Sequence, residues 1–312
     1  MYKKIFLSVL AALVIVSCQK QEKKENTPED VAQNKIKIVA TTNQVADLVN
    51  HIGGKRVDVE GLLGTGVDPH LYRAGEGDVV KMHQADMIFY NGLHLEGSME
   101  DLFENMKERT EVNAISDGIP EDSLLKSDDY ENAYDPHIWL DVSLWKLAAE
   151  YTKEKFIEHD PKNKEVYEKN YKNYSHRLDT LDNYIRKRIS ELPENRRYLI
   201  TAHDAFNYFG KAYDFKVIGL QGISTETKAG TKDVQRLSDL IVEKDIPAIF
   251  IEASVPAKSI KALKEAVEAK GYKTKHGGEL YTDSLGNPGT FQGTYIGMMT
   301  YNINQIVKAL SK

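Results

Sequence analysis

Short apolar runs rich in β-branched side chains recur at 36–42, 57–63 and 87–91, and again at 197–203, 216–221, 248–253 and 275–281. Their continuity predicts buried strands. Between them the apolar residues fall into steps of three and four, which predicts helices at 45–52, 78–85, 231–244 and 259–270. Strands that alternate with helices build βαβ units, so the expected class is α/β with a mostly parallel sheet, flanked by helices, in each half. No sequence repeat relates the halves; they share only the alternation.

The most regular segment lies between them. From Tyr167, apolar residues recur at Tyr171, Tyr174, Leu178, Leu181, Ile185, Ile189 and Leu192, with charged residues elsewhere. This is an amphipathic helix, which Pro161 can open and Pro193 closes. About 28 residues at 1.5 Å each give roughly 40 Å, the length of a whole domain. A coiled-coil partner helix would show a similar spacing. The preferred reading is one long, rigid backbone helix at 161–193, joining an N-terminal βα lobe at 36–160 to a C-terminal βα lobe at 194–312.

The first 35 residues follow another pattern. Lys3 and Lys4 precede an apolar run at 5–16, too short to span a bilayer and suited to a secretory signal. The run ends Ile15-Val16-Ser17-Cys18, which resembles a bacterial lipobox cleaved before the cysteine. Residues 1–17 are thus expected to be a signal peptide and Cys18 the lipidation site. Cys18 is the chain's one cysteine, so the rest can form no internal disulfide and offers no thiolate to a metal. Residues 19–35, QKQEKKENTPEDVAQNK, bury too little apolar surface to offset chain entropy. Residues 18–35 therefore form a lipidated flexible tether, holding the protein to the membrane on its periplasmic or exterior side.

Charge narrows the partners. The net charge is −6, and loss of Lys3 and Lys4 with the signal brings it to −8. No basic block accompanies it, which argues against nucleic acid. A negative field favours cations, weakly in salt.

Two of the nine histidines stand out, because Asp68-Pro69-His70 and Asp135-Pro136-His137 are identical tripeptides. Composition alone predicts about 0.02 copies. Proline restricts its own φ and the residue before it, so each histidine leaves a stiff turn in a set direction, as a metal ligand would. A pair of similar turns with solvent-facing histidines is the plainer alternative. His203 ends a predicted strand, where ligands of α/β sheets gather. Asp283 follows the last strand and, alone, reads as a turn residue. Asp68, Asp135, Asp204 and Glu252 are candidate acceptors for imidazole N–H groups. Trp139 is a candidate apolar wall beside His137.

With these motifs in place, the chain resembles the zinc/manganese solute-binding lipoproteins of ABC importers, the TroA/ZnuA type. The resemblance runs from Ile36 to Leu310 through GTGVDPHLYRAGEGDV, ADMIFYNGLHLE, DPHIWLD, TAHDAFNYFGKAY, GLQGISTETKAGT, FIEASV and YTDSLG, in family order. It implies His70, His137, His203 and Asp283 as four metal ligands, in a cleft between the two lobes. It also implies a membrane permease and a separate ATPase subunit as partners, the chain itself being a monomer. Two departures matter. Some zinc-specific members carry a long His-rich loop before the second histidine, whereas 117–135 here is short, acidic and free of histidine. Manganese-leaning members often place a carboxylate at the third ligand position, where this chain has His203.

Three imidazoles and a carboxylate suit zinc best by intrinsic affinity and manganese least, but supply in the cell decides occupancy, so the expected cargo is zinc first and manganese next. The expected role is capture of a divalent transition metal outside the cytoplasm, not catalysis. A zinc-dependent hydrolase would need an open coordination position and a general base, and the chain has neither a His-Glu-x-x-His helix motif nor a P-loop. A siderophore- or corrinoid-binding protein would not need two Asp-Pro-His turns, and a surface adhesin is compatible with the anchor alone. With histidines titrating near pH 6.5, protons compete at three ligands. Log affinity is then expected to fall with a slope approaching three well below about pH 6 and to flatten above about pH 7.5.

Overall fold

Strand β1 (Ile36–Ala40) is buried on both faces, and consecutive side chains serve different cores. Ile38 and Ala40 join the cluster under helix α1 (Asn43–Gly53), while Val39 packs with Met82, Ile88 and Phe103 on the other face. That two-sided burial is why the strand reads as a continuous apolar run. A computed structural model describes residues 35–127 and 133–311. Cys18 and the predicted signal and tether, up to residue 34, lie outside the described residues.

The first sheet holds β1, β2 (Val57–Gly61), β3 (Met87–Tyr90) and β4 (Glu111–Ala114) in the order β2-β1-β3-β4. All its pairings are parallel, with Ile36 opposite Val57, Ile38 opposite Met87 and Met87 opposite Glu111. Helices α2 (Glu76–Gln84) and α3 (Glu100–Met106) complete this part, followed by α4 (Val142–His159). After the long helix α5 (Lys164–Ile189) come β5 (Tyr198–Thr201), α6 (Asn207–Tyr213), β6 (Lys216–Gly219) and α7 (Thr231–Glu243). Strand β7 (Ala248–Glu252), α8 (Lys258–Ala269), β8 (Lys275–Leu280) and α9 (Tyr295–Leu310) close the chain. Parallel pairs β5-β6 and β7-β8 form the second part's sheets.

Several predicted strands end early, each for a visible reason. The first stops at Ala40 because the Thr41 hydroxyl turns to Glu96 and Thr42 caps α1, accepting from Val45 N at 3.3 Å. The third stops at Tyr90, since Asn91 N donates to Glu96 Oε1. The strand predicted at 197–203 stops at Thr201, because the N–H groups of Ala202 and His203 donate to the Glu252 side chain.

Helix α5 follows a one-turn 3-10 segment at Pro161–Asn163 and spans 26 residues, about 39 Å. Its buried stripe of Tyr167, Tyr174, Leu178, Leu181, Ile185 and Ile189 belongs to one continuous apolar cluster. That cluster also takes in Ile38 and Phe89 of the first sheet, Phe250 and Leu280 of the last, and Met298 and Ile303 of α9. Truncating one such buried leucine, as in Leu178→Ala, costs roughly 2–5 kcal/mol. Side-chain hydrogen bonds pin the helix along its length: Asn170 to Ile52 O, Trp145 to Tyr174, Tyr213 to Asp182 and Tyr184 to Asn304. The partners of the stripe lie within the chain itself.

Candidate metal centre

The two Asp-Pro-His tripeptides fold alike. Asp68 Oδ1 accepts the backbone N–H of His70 at 2.9 Å, and Asp135 Oδ1 accepts that of His137 at 2.9 Å. Proline in the middle has no N–H to compete, so each aspartate closes a tight turn on its own histidine. The copies differ in their second contacts. Asp135 Oδ1 also lies 2.7 Å from the ring Nδ1 of His137, whereas Asp68 Oδ2 accepts the Thr225 hydroxyl at 2.6 Å.

His203 leaves the end of β5 with its ring Nδ1 2.5 Å from Glu252 Oε2, on the neighbouring β7. Asp283 follows β8. Its Oδ2 accepts the Ser254 hydroxyl at 3.0 Å, and the preceding Thr282 carbonyl accepts from Trp139 Nε1 and Gln44 Nε2. Leu285 N donates to Asn43 Oδ1, so the last βα turn is tied down onto the start of α1.

From four separate turns, His70, His137, His203 and Asp283 converge, all buried, with one donor atom from each within 4.8 Å of the others. His137 Nε2 stands 3.4 Å from His203 Nε2 and 3.4 Å from Asp283 Oδ1, and His203 Nε2 stands 3.3 Å from Asp283 Oδ2. Donors at about 2.0–2.1 Å around a tetrahedral ion stand about 3.3–3.4 Å apart, so these separations match the edges of such a site. The Nδ1 atoms of His137 and His203 face carboxylates, which fixes each ring with its Nε2 turned inward. His70 Nε2 and Asp283 Oδ1 are buried without a hydrogen-bond partner among the described residues. The Trp139 ring lies 5.2 Å from that of His137 and forms the apolar wall.

Charge in the site is organised around Asp283. Burial alone would raise its pKa, but His203 and His137 hold it well below the usual carboxylate range. Burial likewise disfavours a cationic His137, yet Asp135 and Asp283 outweigh it and raise the pKa to about 9. For His203, burial is outweighed by Glu252 and Asp283, so its pKa is pushed well above the usual value. His70 has no carboxylate on its ring, and burial, only partly opposed by Asp283, drives it down to about 3. The two rings that face carboxylates are thus favoured in their charged form, and His70 in its neutral form.

Residues 38–309 match the ZnuA family, described as zinc-uptake complex component A, periplasmic. The chain belongs to that family. Among ZnuA-family relatives, the manganese-binding lipoprotein MntA of Bacillus subtilis (strain 168) is 46% identical over 279 residues, 89% of this chain and 91% of MntA. The zinc-binding protein TroA of Treponema pallidum (strain Nichols) is 44% identical over 281 residues, 90% of this chain and 91% of TroA. The solved structure of the periplasmic zinc-binding protein TroA from Treponema pallidum superposes with a TM-score of 0.87 at 44% identity, over 89% of this chain and all of that one. The ZnuA-family fold thus holds for this chain, while relatives of similar identity carry the names of two different metals.

Of the four carboxylates singled out as acceptors, Asp135 and Glu252 face imidazoles. Asp68 faces no imidazole and binds the His70 backbone and the Thr225 hydroxyl instead, and Asp204 binds Asn207. Ser254, Thr225, Gln44 and Asn43, which hold the site's turns, carry no sequence signal beyond being small polar residues near strand ends.

Proposed function

We propose that the protein is the extracytoplasmic metal-binding component of an ABC importer, using His70, His137, His203 and Asp283 to capture a divalent transition metal. The convergence of those four buried side chains, one donor atom from each within 4.8 Å of the others, carries this reading. The cargo is passed to a membrane permease driven by a separate ATPase subunit. Cys18 anchors the chain through lipid, and the tether gives the domain reach. Residues 36–160 and 194–312 act as two lobes on the 161–193 helix, and the protein works as a monomer.

Zinc is the favoured cargo and manganese the next, because three neutral imidazoles and one carboxylate follow the affinity order that places zinc above manganese. Four protein donors complete a tetrahedron and leave no open position for a reacting water, which favours carriage over hydrolysis. Metal content of the purified protein, with zinc and manganese affinities measured side by side, tests the reading. Tight binding of neither metal would remove it.

A further inference from the structure

A cavity of about 340 Å³ abuts the site on one side, lined by His70, Leu93, His94, Tyr134, Ile223 and Glu226 among others. His137, His203 and Asp283 do not line it, and their side chains have no exposure at all. His70 does line it, although it is itself buried, and its Nε2 lacks a hydrogen-bond partner. The His70 ring also sits 5.3 Å from that of His137 and 5.9 Å from that of His203. His70 therefore stands between the cavity and the three deeper donors.

The two walls of the cavity are each held in place. On one, Gly92, Leu93 and His94 take successive positive φ values of 87°, 56° and 63°. Side chains rarely adopt that conformation, and it persists only where surrounding contacts demand it. Here the buried Glu96 carboxylate supplies them, accepting from Asn91 N and Gly92 N. On the other, Thr225 donates to Asp68, the carboxylate that also closes the His70 turn. Wall and ligand thus share one aspartate. The exposed His94 and Glu226 offer a ring nitrogen and a carboxylate to an arriving cation, in keeping with an acidic protein.

Resting on the metal-site assignment above, we propose that the metal enters and leaves through this cavity, meeting His70 first and the other three donors afterwards. The Thr225–Asp68 hydrogen bond holds the cavity's outer wall against the His70 turn. Such a route sets rates without setting affinity, since an obstruction in it raises the barrier for both directions equally.

Gly97 lines the cavity, and a Cβ built there meets no atom within 4 Å, so Gly97→Phe obstructs the space without a backbone clash. Ser224→Phe does the same from the opposite wall and serves should the first variant fold poorly. Gly77→Phe, equally free of contacts but away from the cavity, is the control. Zinc association followed by tryptophan fluorescence in stopped flow, and zinc release to a chelator, give both rates. Gly97→Phe and Ser224→Phe should slow both by roughly tenfold and leave Kd within about twofold, with Gly77→Phe like the parent. Unchanged rates in folded Gly97→Phe and Ser224→Phe overturn the route. Unchanged Kd in His70→Ala would instead overturn the ligand assignment beneath it, so the two failures are distinguishable.

Discussion

Glu252 holds His203 at two points: Oε1 accepts its backbone N–H at 2.9 Å, and Oε2 lies 2.5 Å from its ring Nδ1. The same Oε1 accepts Ala202 N at 2.6 Å. One carboxylate thereby ends strand β5, turns the chain and aims the imidazole. Glu252→Gln keeps the shape but weakens the hold on Nδ1, so zinc affinity should fall about 10–100-fold. Glu252→Ala should additionally cost about 1–3 kcal/mol of stability, because two buried N–H groups lose their acceptor. Calorimetric titration and thermal melts check both; a Gln variant with parental affinity removes Glu252 from the site.

That residue also marks how far the sequence could be read. Glu252 sits in an apolar run, and nothing in the run says that its partner is a backbone 49 residues away. The strands were legible because burial on both faces makes continuous apolar runs, α5 because one-sided burial imposes a period of 3.6, and both Asp-Pro-His turns because proline leaves a local signature. Strand β4 was not, since Glu-Val-Asn-Ala is short and polar at a sheet edge. Helices α4 and α9 were also absent from the expected set; α4 mixes apolar and charged residues around much of its circumference. His203 and Asp283 were suggestive by place in the fold; their convergence with the two turns was implied by the family resemblance, not by the residues' own spacing, because it is made by tertiary structure.

Cys18→Ala should block lipidation, leaving the protein soluble or as uncleaved precursor. Fractionation and mass spectrometry report this directly. A fully processed variant that still sediments with membranes would contradict the lipobox reading.

The pH dependence of binding should differ from three ordinary histidines competing with protons. His70, lowered to about 3, favours its neutral form, whereas His137, raised to about 9, and His203, pushed well above its usual value, favour their protonated forms at neutral pH. Metal then displaces protons from two rings, so log affinity should rise with a slope near two from about pH 5 to pH 8. It should not flatten above about pH 7.5. Zinc titrations across that range, corrected for buffer, decide it; a plateau or a slope near three contradicts these shifted protonation equilibria, and a slope near one the four-ligand site itself.

The same shift links to stability. An unfolded histidine titrates near pH 6.5, so the raised His137 pKa contributes stability that is complete below about pH 6.5. That stability is lost as pH rises through about 9. Metal-free protein should therefore lose melting temperature between about pH 6.5 and pH 9, and zinc-loaded protein much less. The buried tyrosines titrate in both forms and cancel in the comparison. Equal losses would sink the idea.

Helix α5, buried against α1, α4 and α9, resists wide hinge bending. Metal binding should bring small tilts and local ordering of the turns at His203 and Asp283. Small-angle scattering with and without zinc should give nearly equal radii of gyration, and a large change would contradict a rigid backbone helix.

The four-donor site is tested most directly by zinc affinity in single variants measured side by side. His70→Ala, His137→Ala, His203→Ala and Asp283→Ala each remove one donor and should weaken binding by orders of magnitude. His159→Ala, whose ring pairs with Glu111 at the surface, and His51→Ala, whose ring packs on Tyr174, should bind as the parent does. Equal effects across all six substitutions, or parental affinity in any one of the four donor variants, would contradict the site.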